Sequence, residues 1–215
     1  MSTSFSDGAL PIAMARYEPH DKFYRRAREQ GLPSRAAFKL EELINRFRLV
    51  RRGARALDLG CAPGGWLAIL ANAIGESGRV VGVDLATCAR CAPNVVTLEG
   101  DILDPAIHAA ALAALEGPAD LVTSDLAPKL TGIAEQDQAR AAALIAAALT
   151  IAGEVLRPGG AMVAKVFMGS EFEVTRGRFG REFAKNEIVR TKASRPGSAE
   201  LYLVGRNFRG AGQSG

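Results

Sequence analysis

Residues 56 to 66 read Ala-Leu-Asp-Leu-Gly-Cys-Ala-Pro-Gly-Gly-Trp, a short apolar run holding one acid that breaks into glycines before a helical pattern resumes. That order specifies a strand, a tight loop and a helix start. Gly60, Gly64 and Gly65 let the backbone turn sharply and approach a ligand with no side chain in the way, and the helix start offers unpaired N–H groups. Asp58, Gly60, Pro63, Gly64, Gly65 and Trp66 are therefore candidate cofactor-binding residues.

The spacing narrows the cofactor. A dinucleotide fingerprint requires G-x-G-x-x-G, which Gly60-Cys61-Ala62-Pro63-Gly64-Gly65 does not supply, so a nicotinamide-dependent oxidoreductase is disfavoured. Asp58 also brings a carboxylate to the loop, where a pyrophosphate would be repelled. A ligand carrying an ammonium and a sulfonium suits that position, and S-adenosylmethionine (SAM) is such a ligand.

Apolar runs at 54–59, 79–83, 95–99, 121–124 and 161–167 read as strands buried on both faces, and 200–204 as a final strand. Helical patterns lie between them at 66–74, 106–115 and 136–156, the last ended by Arg157-Pro158-Gly159-Gly160. This alternation predicts an α/β, Rossmann-like fold: a mostly parallel sheet with helices on both faces, of the class I SAM-dependent methyltransferase type. Upstream, a helical pattern runs from 21 to about 48 and breaks at Gly31-Leu32-Pro33-Ser34. Ser34 suits an N-cap for the second part, whose apolar face holds Phe38, Leu43 and Phe47. The expected organisation is a loosely ordered segment 1–15, one domain over 16–207 with a basic helical extension at its start, and a flexible tail 208–215.

With 215 residues, 48% of them hydrophobic, the chain can build one sizeable core. Residues 1–15 show no secretory pattern, and the longest uncharged helical stretch, 141–153 between Arg140 and Glu154, is shorter than the roughly 18 residues a membrane span needs. The three cysteines form no paired framework, and Cys88-x-x-Cys91 lacks a second ligand pair. The expectation is a cytoplasmic protein with no membrane and no metal, a monomer being favoured. Charge is segregated: residues 16–55 carry twelve basic against five acidic residues, 56–175 six against fourteen, and 176–195 seven against two. If the two basic segments fold onto one face, they make a polyanion-binding surface around an acidic pocket.

Ligands of doubly wound sheets lie outside the carboxyl ends of the strands. Asp84, about twenty residues after the glycine loop, can accept the ribose hydroxyls of a nucleoside. Asp101 can accept from an adenine amine, with Ile102 offering its backbone N–H. Asp125 begins Asp-Leu-Ala-Pro and lacks the Pro-Pro-aromatic clamp that holds a planar nitrogen, so an oxygen acceptor is favoured. Lys165, inside Ala-Met-Val-Ala-Lys-Val-Phe, is buried by alternation and needs a compensating carboxylate or an opening at the strand end.

Ser34 to Leu40, Leu57 to Trp66, Ser124 to Pro128, Ala164-Lys165-Val166-Phe167 and Ser198 to Tyr202 resemble, in order, the motifs of the FtsJ family of ribosomal RNA 2′-O-ribose methyltransferases. The resemblance covers about 16–207 and implies a catalytic tetrad of Lys39, Asp125, Lys165 and Glu200. Lys165 would assist loss of the hydroxyl proton, while the other three orient the hydroxyl and set the lysine's charge state. The implied substrate is a uridine of the 23S ribosomal RNA A-loop within the large ribosomal subunit, with SAM as donor. Lys22, Arg25, Arg26, Arg28 and Arg35 would hold RNA phosphates. A tRNA loop, an mRNA cap, or a non-catalytic role as an RNA-binding assembly factor are the alternatives. Fewer basic residues stand between Arg190 and Glu200 than in most of the family, and residues 1–15 match none of its motifs.

Overall fold

The computed structural model describes residues 36–88, 92–129, 131–168, 172–194 and 200–210. In chain order the elements are α1 (Ala36–Phe47), β1 (Arg55–Leu59), α2 (Gly65–Ile74), β2 (Arg79–Asp84), β3 (Val95–Glu99), α3 (Pro105–Leu115), β4 (Ala119–Ser124), α4 (Ala134–Val155), β5 (Leu156–Phe167), α5 (Phe172–Glu182), β6 (Phe183–Val189) and β7 (Glu200–Phe208). The strands form one sheet in the order β3-β2-β1-β4-β5-β7-β6. The first five pair in parallel, and β7 runs antiparallel to both β5 and β6.

Period-2 alternation divides the core into two layers. Leu57, Leu59, Val81, Val83, Val122, Met162, Ala164 and Val166 pack with α3, α4 and α5 on one face. Ala56, Val80, Leu121, Val163, Tyr202 and Val204 pack with α1 and α2 on the other. The expected sheet and its helix-covered faces are both present. α4 is long and apolar enough to cross a bilayer by length and composition. Here it buries Ala148, Leu149, Ile151, Ala152 and Val155 against the sheet.

Four expectations need correction. β3 is not buried on both faces: it is an edge strand, and its residues 96–98 are half-buried and Glu99 exposed. Residues 156–160 belong to β5 rather than to a helix end and turn, because pairing with β4 resumes across a register shift between Ala119 and Leu121. The last strand continues past Val204 to Phe208, and the Arg209 N–H donates to Glu182 O (2.9 Å). α5 and β6 were not anticipated. α5 is rich in arginine and buries only Phe172, Thr175 and Phe179, while β6 is an exposed edge, so neither carries a strong apolar period.

The basic segments do not simply share a face, since α5 packs opposite α1. Two arginines of α5 are engaged locally: Arg176 pairs with Glu173, and Arg178 with Glu182. Only beyond β6 does the chain return to the α1 side, where the Lys192 N–H donates to Glu42 Oε2 (2.9 Å). Lys22, Arg25, Arg26, Arg28 and Arg35, with the segment 1–15 and the Ser34 cap, lie outside the described residues.

The antiparallel extension depends on a bare backbone position in β7. A Cβ at Gly205 would stand 2.5 Å from the ring of Phe183, which is fully buried and stacked on Phe179 (5.3 Å). Gly205→Ala should therefore destabilise the domain by about 1–3 kcal/mol through overpacking. A fall in the urea midpoint with unchanged m checks it, and an unshifted midpoint would mean the β6–β7 layer has room to yield.

Candidate active site

The glycine loop joins β1 to α2 with Gly60 and Gly64 at positive φ (81° and 102°). The N–H groups of Gly60 and Cys61 both donate to Val83 O (2.8 and 3.2 Å), which ties the loop to β2. At Gly60 a Cβ would stand 3.1 Å from the Leu126 side chain, and at Gly64 3.3 Å from Cys88 Sγ, so the loop is closely packed on both sides. Pro63 completes it. Asp84, at the end of β2, accepts the Ala62 N–H on Oδ2 and the Ala86 N–H on Oδ1, both at 2.9 Å. Each oxygen keeps a second lone pair for the ribose role expected of it. Asp101 is exposed, with Oδ1 taken by the Leu103 N–H (2.9 Å), and the neighbouring Ile102 is buried.

Asp58 is fully buried and accepts from Thr123 Oγ1 (2.7 Å), while its Oδ2 has no partner. Burial pushes its pKa up to about 7, against the Thr123 hydrogen bond, and the negative charges of Asp125 and Asp84 push the same way as burial. Three carboxylates thus lie close enough beside the positive-φ glycines to feel one another's charge. The unpartnered Asp58 oxygen and the Asp84 carboxylate, which has no salt bridge among the described residues, fit a cationic nucleoside ligand such as SAM and disfavour a pyrophosphate. Burial likewise raises the thiol pKa of Cys61 and Cys88, so neither is a reactive thiolate at neutral pH.

Trp66 turns inward rather than toward the cleft. Its side chain is buried, its Nε1–H donates to Ala36 O (2.8 Å), and its ring packs against Tyr202 at 6.0 Å. That contact holds the start of α1, and with it Lys39, against the sheet. Toward a cofactor Trp66 can offer its backbone in the first turn of α2.

The four tetrad residues come together at the carboxyl end of β4 and β5. Lys39 Nζ lies 2.5 Å from Glu200 Oε1, and Lys165 Nζ lies 3.1 Å from Asp125 Oδ1 and donates to Asp125 O at 2.8 Å. Asp125 is the compensating carboxylate that a buried Lys165 requires. Tyr202 stands between the two pairs, its hydroxyl 3.3 Å from Asp125 Oδ1 and 3.2 Å from Glu200 Oε1. Burial first, and then the Asp125 and Glu200 charges, raise its pKa, so it remains a phenol and a donor. Its signal in the sequence is the alternation Glu200-Leu201-Tyr202, which puts it on the face of Glu200.

The FtsJ-like methyltransferase family model matches residues 32–208. This chain belongs to that family. It is a SAM-dependent methyltransferase. Among curated relatives, it is 44% identical over 203 residues to a protein of Myxococcus xanthus named ribosomal RNA large subunit methyltransferase E, covering 94% of this chain and 95% of that one. A protein of the same name from Anaeromyxobacter sp. (strain Fw109-5) is 45% identical over 196 residues, 91% of this chain and 71% of the relative. The crystal structure of a ribosomal RNA methyltransferase from Plasmodium falciparum superposes with TM-score 0.70 at 26% identity, covering 82% of this chain and 98% of that one. Aeropyrum pernix fibrillarin with natively bound SAM shares the fold (TM-score 0.52, 20% identity, 79% and 73% covered).

The raised pKa of Asp58 sets a pH dependence. Its folded value of about 7 exceeds the ordinary 3.8, so the folded state binds the extra proton between those values and this contribution to stability declines as pH rises from about 4 to about 7. Asp58→Asn lacks that titration. Thermal unfolding from pH 4 to 8 should show the variant gaining on the parent across this window and holding a constant lead above it, with weakened SAM binding at pH 8. Parallel pH profiles would refute the assignment.

Proposed function

We propose that this chain methylates a ribose 2′-hydroxyl of large-subunit ribosomal RNA, and that the target is a uridine of the 23S A-loop. The observation that carries the reading is the pair of lysine–carboxylate contacts joined by Tyr202 beside the glycine-loop cleft. The relatives matched over most of the chain are named for ribosomal RNA of the large subunit, which favours that substrate over a tRNA loop or an mRNA cap. A ribosomal RNA substrate supports a cytoplasmic location as part of this reading. Lys165, nine-tenths buried and held by an acid, argues against an idle fold, because burying a charge without use is costly.

A ribose hydroxyl is a weak nucleophile until its proton leaves. Lys165 Nζ donates to the Asp125 carbonyl oxygen and lies 3.1 Å from its carboxylate. Once the ammonium has given its own proton to solvent, the amine lone pair is able to take the hydroxyl proton. The resulting ammonium stays beside the Asp125 carboxylate. Lys39 and Glu200 fix Tyr202 from the other side and orient the hydroxyl. Asp58, Gly60, Gly64, Asp84, Asp101 and Ile102 would hold SAM, which when bound supplies a methyl group activated by its sulfonium. Phe167, two residues beyond Lys165 and 42% exposed, has its ring 5.9 Å from Lys165 Nζ and offers an aromatic face to an unstacked base. Lys22, Arg25, Arg26, Arg28 and Arg35 are proposed phosphate contacts.

Lys165→Ala should lower methyl transfer to large subunits by about a thousandfold while SAM binding persists. The domain should fold, because Asp125 keeps partial solvent exposure and the Tyr202 hydroxyl. Labelled SAM, with calorimetric SAM titration alongside, is the measurement; a variant retaining most of the parental rate would remove Lys165 from the chemistry. The parent's product should resist alkaline cleavage on the 3′ side of one A-loop uridine. A methyl group found on a base would refute the 2′-hydroxyl as acceptor.

A further inference from the structure

The opposite end of the sheet holds a polar cavity of about 260 Å³ around Arg48, Arg51, Asp120, Arg157, Arg206 and Asn207. It lies where β4 begins and β7 ends. Along β7, Arg206 is six residues from Glu200, or about 20 Å from the tetrad at 3.3 Å per residue. α1 joins the two places, carrying Lys39 near one end and leading into Arg48 at the other.

The charges here are organised. Both oxygens of Asp120 are taken, Oδ1 by Arg157 Nε (2.7 Å) and Oδ2 by the Arg55 N–H (2.9 Å). Burial opposes ionisation of Asp120, but those bonds and the charges of Arg157 and Arg51 hold its carboxyl below the usual range. Arg206 pairs with Glu187, and its guanidinium stands over the Phe47 ring at 5.2 Å. Two arginines are thereby fixed by two carboxylates. Arg48 and Arg51 are exposed, and among the described residues neither has a salt-bridge partner, which leaves the cavity with an excess of positive charge. Arg46 and Arg52, also exposed, extend the positive edge.

Guanidinium forks suit phosphate oxygens. At the cofactor end Lys39 and Lys165 are already paired with Glu200 and Asp125, so positive charge free to meet a nucleic-acid backbone has to come from elsewhere. We propose that this arginine cavity is a second RNA site, gripping a backbone phosphate of the substrate about 20 Å from the target nucleotide. The proposal rests on the reading of the chain as a ribosomal RNA methyltransferase. The site binds without reading sequence, and its contribution appears in KM and salt dependence rather than in the rate of transfer.

The test compares the parent with Arg48→Glu/Arg51→Glu and with the milder Arg48→Gln/Arg51→Gln, using a large-subunit RNA transcript containing the A-loop. The Glu pair should weaken RNA binding and raise KM by at least about tenfold at low salt, and the Gln pair by less. Two lost phosphate contacts should flatten the log–log salt slope by about 1.5. SAM affinity, thermal midpoint and kcat at saturating RNA should match the parent. A parent that binds neither the transcript nor large ribosomal subunits would sink the ribosomal RNA reading itself. A parent that binds either, with both variants equal to it in affinity and slope, would overturn the second site alone. Inorganic phosphate stabilising the parent but not the variants, with RNA affinity equal in all three, would assign the cavity to a free anion and equally overturn the proposal.

Discussion

The antiparallel pairing of β7 with β5 is the constraint on which the proposed catalytic end depends. Its register puts Tyr202 opposite Lys165 and Glu200 opposite Phe167, so Lys165, Glu200 and Tyr202 all stand on the face covered by α1. A slip of one residue would send the β7 side chains to the other face. What prevents it is hydrophobic: Ala164, Val166, Leu201 and Leu203 alternate with the polar residues and pack into the α4–α5 layer. The polar constellation is held in place by the apolar residues between its members.

The two lysine–carboxylate pairs span long stretches of chain. Lys39 and Glu200 are 161 residues apart, and Lys165 and Asp125 are 40 apart. Buried ion pairs contribute little net stability once desolvation is counted, so their retention here is better explained by geometry. Each pair fixes one long side chain, and Tyr202 couples them through a hydroxyl within reach of both carboxylates. Trp66 adds apolar support, linking the glycine loop, the start of α1 and the Tyr202 ring. The glycine loop and the two lysine–carboxylate pairs are therefore parts of one packed unit.

Charge is distributed along the strand direction. The carboxyl end of the parallel strands gathers Asp58, Asp84 and Asp125, an environment for a cation, whereas the other end gathers arginines around Asp120. The buried strands between them act as an insulating spacer of fixed length. One small domain can thus present opposite potentials to a cationic cofactor and a polyanionic substrate.

The glycine loop, the acids at the strand ends and the anomalous Lys165 were legible in the sequence because each is a local signal: backbone freedom, position after an apolar run, and a charge within an apolar alternation. That the sheet is mostly parallel was legible from the alternation of strand and helix patterns. Tertiary structure alone decided which carboxylate compensates Lys165, that Tyr202 bridges the pairs, that Trp66 faces inward, and that arginines from the α1–β1 connection, β5 and β7 share a cavity. It also decided that β3 lies at the sheet edge and that α5 and β6 exist as elements. The physical reason is that local patterning sets which face a side chain takes. Its partner there depends on strand order and register, which arise from packing between residues far apart in the chain.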